Sequence, residues 1–261
     1  MNVIIQPNEQ AATQLVARLI AKTLRGRPSA VLGLATGCTM ERLYAALADM
    51  HRGEGLDFSL CRTFNLDEYV GLPPDDPQSY RYYMNHHLFQ KVNIDLRNTH
   101  LPDGMAPDLE AACARYEAAI RDAGGIDFQL LGIGRDGHIG FNEPLSALRS
   151  RTRPQMLTPS TIAANGPLFG DPARMPRRAL TMGVGTILDS RRCVLLATGA
   201  AKAGVLAKAV EGPIAAMVPA SALQLHPACV IVADEAAAAG LAGKAYYRFV
   251  FENEPEWAEF R

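Results

Sequence analysis

The chain has 261 residues, 48% of them hydrophobic and 20% charged, with 26 Lys and Arg against 27 Asp and Glu for a formal net charge of −1. That length and balance suit a globular protein with a large core, arranged as one big α/β domain or two smaller ones. The near-zero charge excludes a global field for a polyanion, so neither nucleic acid nor a membrane surface is an expected partner, and any anion site has to be built locally.

The opening, MNVIIQPNEQ, has no basic segment followed by a longer apolar core, and no uncharged stretch reaches the roughly 18 residues of a membrane span. A cytoplasmic location is expected. Residues 3–6 read as a strand, after which Asn8 can cap a helix with Leu15, Val16, Leu19, Ile20 and Leu24 at helical spacing. Residues 30–34 form a second strand. Beyond a turn at 36–39, Met40, Leu43, Tyr44, Leu47 and Met50 make the apolar stripe of a helix that ends near Gly53. A strand at 63–66, a helix at 79–89, a strand-like segment near His100, a helix at 109–120 and a strand at 128–133 follow. Further strands are expected at 179–182, 193–198 and 229–233, with a helix at 201–211 stopped by Gly212-Pro213. Continuous apolar strands separated by helices imply an α/β fold, a mostly parallel sheet sandwiched by helices. Residues 145–178, rich in Ser, Thr, Pro and Arg, show no clear period and read as an irregular functional flap. No low-complexity segment or internal repeat interrupts the chain.

In open α/β sheets ligands sit beyond the carboxyl ends of the strands, and three such ends carry chemistry here. The first, LGLATGCTMERLY, runs strand, Thr36-Gly37-Cys38-Thr39, helix. That layout lets backbone N–H groups and a helix N-terminus hold a phosphate, though it is neither a Walker A loop nor GxGxxG. It is equally compatible with a plain turn capped by Thr39. The second, FNLDEYVGLP, delivers Asp67 and Glu68 directly off a strand, so that one carboxylate points to the ligand edge and the other away. A carboxylate there can move a proton at carbon if its surroundings tune its pKa, or it can serve as a turn cap. The third, GRDGHIGFNEP, sets His138 two residues after Asp136 and five before Glu143, with glycines at 132, 134, 137 and 140 free to curl both acids around the imidazole. A histidine oriented by a carboxylate has a fixed tautomer and raised basicity.

Lys202, in TGAAKA, opens the helix after the 193–198 strand. A cation at a helix N-terminus opposes the dipole unless an anion sits between them, so it is either a phosphate ligand or a solvated side chain. The five cysteines, an odd number with no CxxC pair, read as reduced thiols, and the other histidines lack acidic or cysteine partners at ligand spacing. No metal and no other cofactor is expected. No GxSxG elbow is present.

The set LGLATGCT, FNLDEYVGLP, GIGRDGHIGFNEP, SRTR, ALTMGVGTIL and TGAAKA, in that order over nearly the whole chain, resembles the glucosamine-6-phosphate deaminase family. The Asn-Glu-Pro after the Asp-Gly-His core favours that family over the related 6-phosphogluconolactonases. The resemblance implies a Rossmann-like single domain over 1–261 with a lid at about 145–178. It also implies an amino-sugar phosphate as substrate, isomerised and deaminated to fructose 6-phosphate and ammonia. In catalytic roles it places Asp67 as the base between C2 and C1, His138 at ring opening, and Asp136 and Glu143 as acids that orient it and relay its proton. Thr36, Gly37, Cys38, Thr39, Gly137 and Lys202 are the implied substrate-binding residues. A galactosamine-6-phosphate deaminase and a lactonase are alternatives in the same fold, and a noncatalytic sugar-phosphate sensor lies outside enzymology.

Two departures from the family pattern stand out. Cys38 and Met40 occupy positions where many members have Gly and Pro. Where the lid of relatives carries an arginine for the phosphate, in Ala-Asn-x-Arg-x-Phe, this chain reads AANGPLF with Pro167. Arg174, Arg177 or Arg178 are candidate replacements, given how well a guanidinium suits phosphate. Ser146 and Arg153 are kept from the allosteric members, but Ala147 and Gln155 replace polar or basic partners, so weak or absent activation is expected. The aromatic end YYRFVFENEPEWAEF suits terminal packing or the subunit contact of a homo-oligomer.

Overall fold

The computed structural model describes all 261 residues. In chain order the strands of the main sheet are β1 (Asn2–Gln6), β2 (Val31–Leu34), β3 (Arg62–Asn65), β5 (Thr99–His100), β6 (Phe128–Leu131), β9 (Cys193–Ala197) and β10 (Cys229–Asp234). They form a seven-stranded sheet in the order β1-β10-β9-β6-β2-β3-β5, parallel throughout. Every residue of CVLLA in β9 and CVIVAD in β10 is buried. Only a sheet covered on both faces buries such continuous apolar runs, which is why the expected helices must flank it.

The helices begin where the sequence places a cap. Asn8 Oδ1 accepts the Ala11 N–H at 2.9 Å ahead of α1 (Glu9–Gly26), and Asp108 does the same for Ala111 ahead of α4 (Leu109–Asp122). Ser79 caps α3 (Tyr80–His87). The helix α2 (Cys38–Glu54) differs: its cap is Gly37, in the left-handed region at φ 111°, with no side-chain cap bond, so Thr39 lies inside the helix and is not its cap. One hydrophobic core of 62 buried residues joins α1 and α2 to the sheet.

Chain direction reverses beside β2. From β2 the chain steps outward to β3 and β5, then β6 returns on the other flank of β2. The loops leaving β2 and β6 therefore diverge, opening a crevice at their carboxyl ends where ligands bind in this class of sheet.

A second sheet, which sequence periodicity did not reveal, stands over that crevice. It is antiparallel, in the order β4-β8-β7, from β4 (Asp67–Tyr69), β8 (Arg178–Thr181) and β7 (Arg153–Met156). The strand expected at 179–182 belongs to this sheet. The 145–178 segment is correspondingly less irregular than expected, holding β7, α5 (Pro159–Asn165) and two short 3₁₀ turns. Tyr69, Phe141, Leu157, Phe169, Met175 and Ala179 make a separate small core beneath it. Beyond β8, α6 (Val184–Leu188) and α7 (Ala203–Val210) flank β9 in sequence. The C-terminal helix α8 (Lys244–Asn253) contacts β1, and after it Trp257 and Phe260 are buried, with the Arg18 guanidinium 5.0 Å from the Phe260 ring. Tyr246 and Phe249 on α8 stay exposed. No helix is long and apolar enough to cross a membrane.

Candidate active site

A cavity of about 680 Å³ occupies the crevice. Its floor is the turn after β2 (Thr36, Gly37, Cys38, Thr39), the loop after β6 and Lys202 beyond β9; Asp67 and Tyr80 form a wall, and α5 closes the top. Three strand ends of separate βα units thus meet in one space.

The loop after β6 holds its imidazole tightly. His138 Nδ1 lies 2.6 Å from Asp136 Oδ1 and 3.5 Å from Glu143 Oε2, as ion-pair contacts without an in-line hydrogen bond. Gly134 donates its N–H to the His138 carbonyl, and a Cβ at Gly134 would fall 2.2 Å from the ring carbon Cε1, so the ring rests directly on this glycine. With Nδ1 turned to the acids, Nε2 is the nitrogen left for a ligand. Burial alone would lower the His138 pKa, but contact with Asp136 and Glu143 outweighs it and raises the value to about 9. The same contacts hold both carboxyls below their usual range, against the burial that would raise them. At neutral pH the cluster is an imidazolium between two carboxylates. Its three donor atoms lie within 4.8 Å of one another, a spacing that would also suit a divalent cation, but the imidazolium already supplies the positive charge there.

Glu143 is buried behind His138 and does not line the cavity. Its Oε1 accepts the Thr158 N–H at 3.1 Å, so the segment that carries α5 is hydrogen-bonded to the acid that braces the histidine.

Asp67 and its neighbour divide as alternation along a strand requires. The Glu68 carboxylate turns away and accepts the N–H groups of Tyr69, Tyr80 and Arg81 at 2.8, 2.9 and 2.9 Å. Asp67 faces the cavity beside Gly140, where φ is +57° and a Cβ would come within 3.4 Å of Asp67 Oδ2. Burial, and then the charge of Glu68, raises its pKa to about 8, while the His138 charge pulls the other way. A carboxyl so placed is a base matched to near-neutral operation.

Lys202 is not a solvated side chain. Its Nζ donates to the Ile133 carbonyl at 2.6 Å on the cavity floor, and burial, then the nearby Arg135 charge, lowers its pKa. Gly137 is a correction: it does not line the cavity, because its φ of +91° turns it under Val218, where a Cβ would meet Val218 Cγ1 at 2.7 Å, and its carbonyl accepts the Ala220 N–H. The candidate lid arginines are a second correction. Arg174 lines a separate small cavity near Asp76 and Phe169, and neither Arg177 nor Arg178 reaches the main one. Sequence reasoning passed over Arg135 and Tyr80, both of which line the cavity. Arg135 sits inside the motif that was read only for its acids and imidazole, and the helical position of Tyr80 gave no sign that it faces Asp67's side of the cavity.

The model of the glucosamine-6-phosphate isomerases/6-phosphogluconolactonase family matches residues 7–231. The chain belongs to that family. A glucosamine-6-phosphate deaminase of Streptomyces coelicolor is 48% identical over 258 residues, covering 98% of this chain and 99% of that protein. One from Rhodopirellula baltica is 53% identical over 234 residues, covering 90% and 93%. Among solved structures, a monomeric glucosamine-6-phosphate deaminase superposes with a TM-score of 0.90 at 45% identity, covering 92% of this chain and all of the other. A 6-phosphogluconolactonase from Thermotoga maritima shares the fold at a TM-score of 0.70 and 23% identity.

Proposed function

We propose that this chain converts glucosamine 6-phosphate and water to fructose 6-phosphate and ammonia. The observation that carries the reading is the meeting, in one cavity, of an imidazole braced by two carboxylates and a separate buried carboxyl with a pKa near 8. The C2 proton of an amino sugar becomes acidic only once the ring is open and C1 is a carbonyl. Two proton handlers are therefore needed at different atoms. His138 gives a proton to the ring oxygen as the C1–O5 bond breaks, and the neutral imidazole so formed takes the proton of the C1 hydroxyl as C1 becomes a carbonyl. Asp67 takes the C2 proton while the His138 imidazolium gives one to the C1 oxygen, leaving an enolamine, and Asp67 then returns its proton to C1. The resulting C2 imine adds water and expels ammonia. Asp136 and Glu143 hold the imidazolium and do not touch the sugar. The turn at 36–39 and Lys202 hold the 6-phosphate. The 145–178 segment acts as a lid over a single catalytic unit spanning 1–261, and its α5 excludes water from the enolamine.

The test is to incubate the protein with glucosamine 6-phosphate and measure ammonia and fructose 6-phosphate, running galactosamine 6-phosphate and 6-phosphogluconolactone beside it. Equal amounts of both products from the first substrate are expected. Release from the galactose epimer alone, hydrolysis of the lactone alone, or no reaction with any of the three overturns the reading.

A further inference from the structure

The cavity presents an imbalance of charge that its acid–base cluster does not explain. On the lining Asp136 balances His138, with Glu143 a further negative charge behind the ring, so the positive groups left there are Arg135 and Lys202. The two are joined through one strand end: Lys202 Nζ is tethered to the carbonyl of Ile133, two residues before Arg135. Arg135 is exposed, and Asp136, the carboxylate beside it in sequence, is engaged by the histidine instead. The roof contributes no charge at all: α5 presents Ser160, Thr161, Ala163, Ala164 and Asn165 to the cavity, and the following turn begins Gly166-Pro167.

Two like charges held at one rim raise each other's energy unless an anion joins them, and Asp136, which acts on Lys202 but is paired with His138, offsets this only in part. The start of α2 lines the same cavity, and there Gly37 caps the helix without any side-chain acceptor. Resting on the function proposed above, we infer that Arg135 is a phosphate-binding residue, forming with Lys202 and the turn at 36–39 a clamp for the 6-phosphate that the floor of the cavity supplies without help from the lid. A dianion brings two negative charges; Lys202 answers one as a point charge, and the planar guanidinium of Arg135 answers the other through paired N–H donors. Because this clamp lies on strand-end loops and not on the lid, phosphate binding does not depend on the lid's being closed.

The experiment measures KM and kcat for glucosamine 6-phosphate, and the inhibition constant of inorganic phosphate, for the wild type, Arg135→Gln and Arg135→Lys. Loss of one charge-assisted pair predicts a rise of about 10- to 100-fold in KM and in the phosphate inhibition constant for Arg135→Gln, with kcat changed by less than about threefold and Arg135→Lys in between. The exposed side chain has no folding partner to lose, and a retained kcat shows an intact site. If Arg135→Gln keeps both wild-type constants, the inference is wrong while the proposed function stands. If the wild type itself releases no ammonia from glucosamine 6-phosphate, the proposed function fails first.

Discussion

The floor of the cavity and its roof are built on opposite plans. Every ionisable group suited to acid, base or phosphate chemistry lies on the strand ends of the floor or on the β4 wall, and α5 in the roof offers hydroxyls, methyls and one amide. The floor hangs from a parallel sheet with buried strands on both flanks of the crevice; the roof rests on a small separate core of six residues. The difference teaches that the chemistry is assigned to the part of the molecule tied into the larger core, and that the roof is joined to it by the hydrogen bonds of the Thr158 N–H to Glu143 and of the Asn165 amide to the Tyr69 hydroxyl on β4. General acid–base positioning tolerates little misplacement, so this division is what a proton-moving site requires.

Substitutions on the floor and on the β4 wall should break the comparison hardest. Asp67→Asn and His138→Asn are each expected to lower kcat by about 10²–10⁴-fold with an unchanged circular dichroism spectrum. Asp67→Asn carries a second signature. The folded pKa of about 8 lies far above the usual carboxylate value, so folding favours the neutral form, and the native state loses stability as pH rises from about 4 to about 8. The variant should therefore melt above the wild type at pH 8, by an amount on the order of a few kcal/mol, and match it near pH 4. Equal melting at both pH values would show that the carboxyl is not held in that environment.

Next comes the seat of the imidazole. Gly134→Ala forces a methyl against the His138 ring, and displacement of a catalytic group by about 1 Å costs up to about 10²-fold in rate. Steady-state kinetics should show the loss in kcat, with KM nearly unchanged. A comparable fall in phosphate affinity would place the damage elsewhere.

The link between roof and floor gives a smaller effect, visible as a shift in pH dependence. The free enzyme needs Asp67 ionised and His138 protonated, so kcat/KM should be a narrow bell with limbs governed by values of about 8 and about 9. With values this close, the measured limbs belong to the coupled pair. Glu143→Gln removes one of the carboxylates that raise the His138 pKa, so the alkaline limb should move to lower pH. A limb that stays in place would mean Asp136 alone holds the imidazolium.

The smallest effect is expected in the roof itself. The Arg153 guanidinium on β7 already donates to Asn142 Oδ1 at 2.9 Å, Ser146 Oγ at 2.9 Å and Gln155 Oε1 at 3.1 Å. With three of its N–H donors engaged inside the chain, it is committed to these partners and poorly placed to take a second sugar phosphate. Addition of N-acetylglucosamine 6-phosphate should leave the rate curve hyperbolic and unmoved, and a sigmoidal curve straightened by that ligand would contradict this.

The same division decides what was legible in the sequence. The parallel sheet was readable because its strands are uninterrupted apolar runs, as in CVLLA and CVIVAD, and because Asn8, Ser79 and Asp108 mark helix starts. The second sheet was not. Its β7 reads Arg-Pro-Gln-Met, half-buried with no alternation, and β4 is three residues long, so neither leaves a period to detect. In the site, the acid–imidazole–acid spacing was plain from local chemistry and strand alternation required one of Asp67 and Glu68 to face the ligand edge, while the family resemblance pointed to Asp67 as that one. The place of Gly137 under Val218 and the arrival of Arg135 beside Lys202 depend on contacts between distant segments, which one sequence does not display. Thr39 was a reasonable cap by residue type, but the positive φ of Gly37 starts the helix earlier.

Exchange at C1 of fructose 6-phosphate in deuterium oxide with ammonium present, followed by proton NMR, isolates the step assigned to Asp67, since the open-chain ketose forms without the enzyme. The wild type should exchange readily, Asp67→Asn should lose about 10²–10⁴-fold of that rate, and His138→Asn should retain most of it. Exchange by Asp67→Asn at the wild-type rate, or equal loss in both variants, would contradict the assignment of two proton handlers to two different atoms.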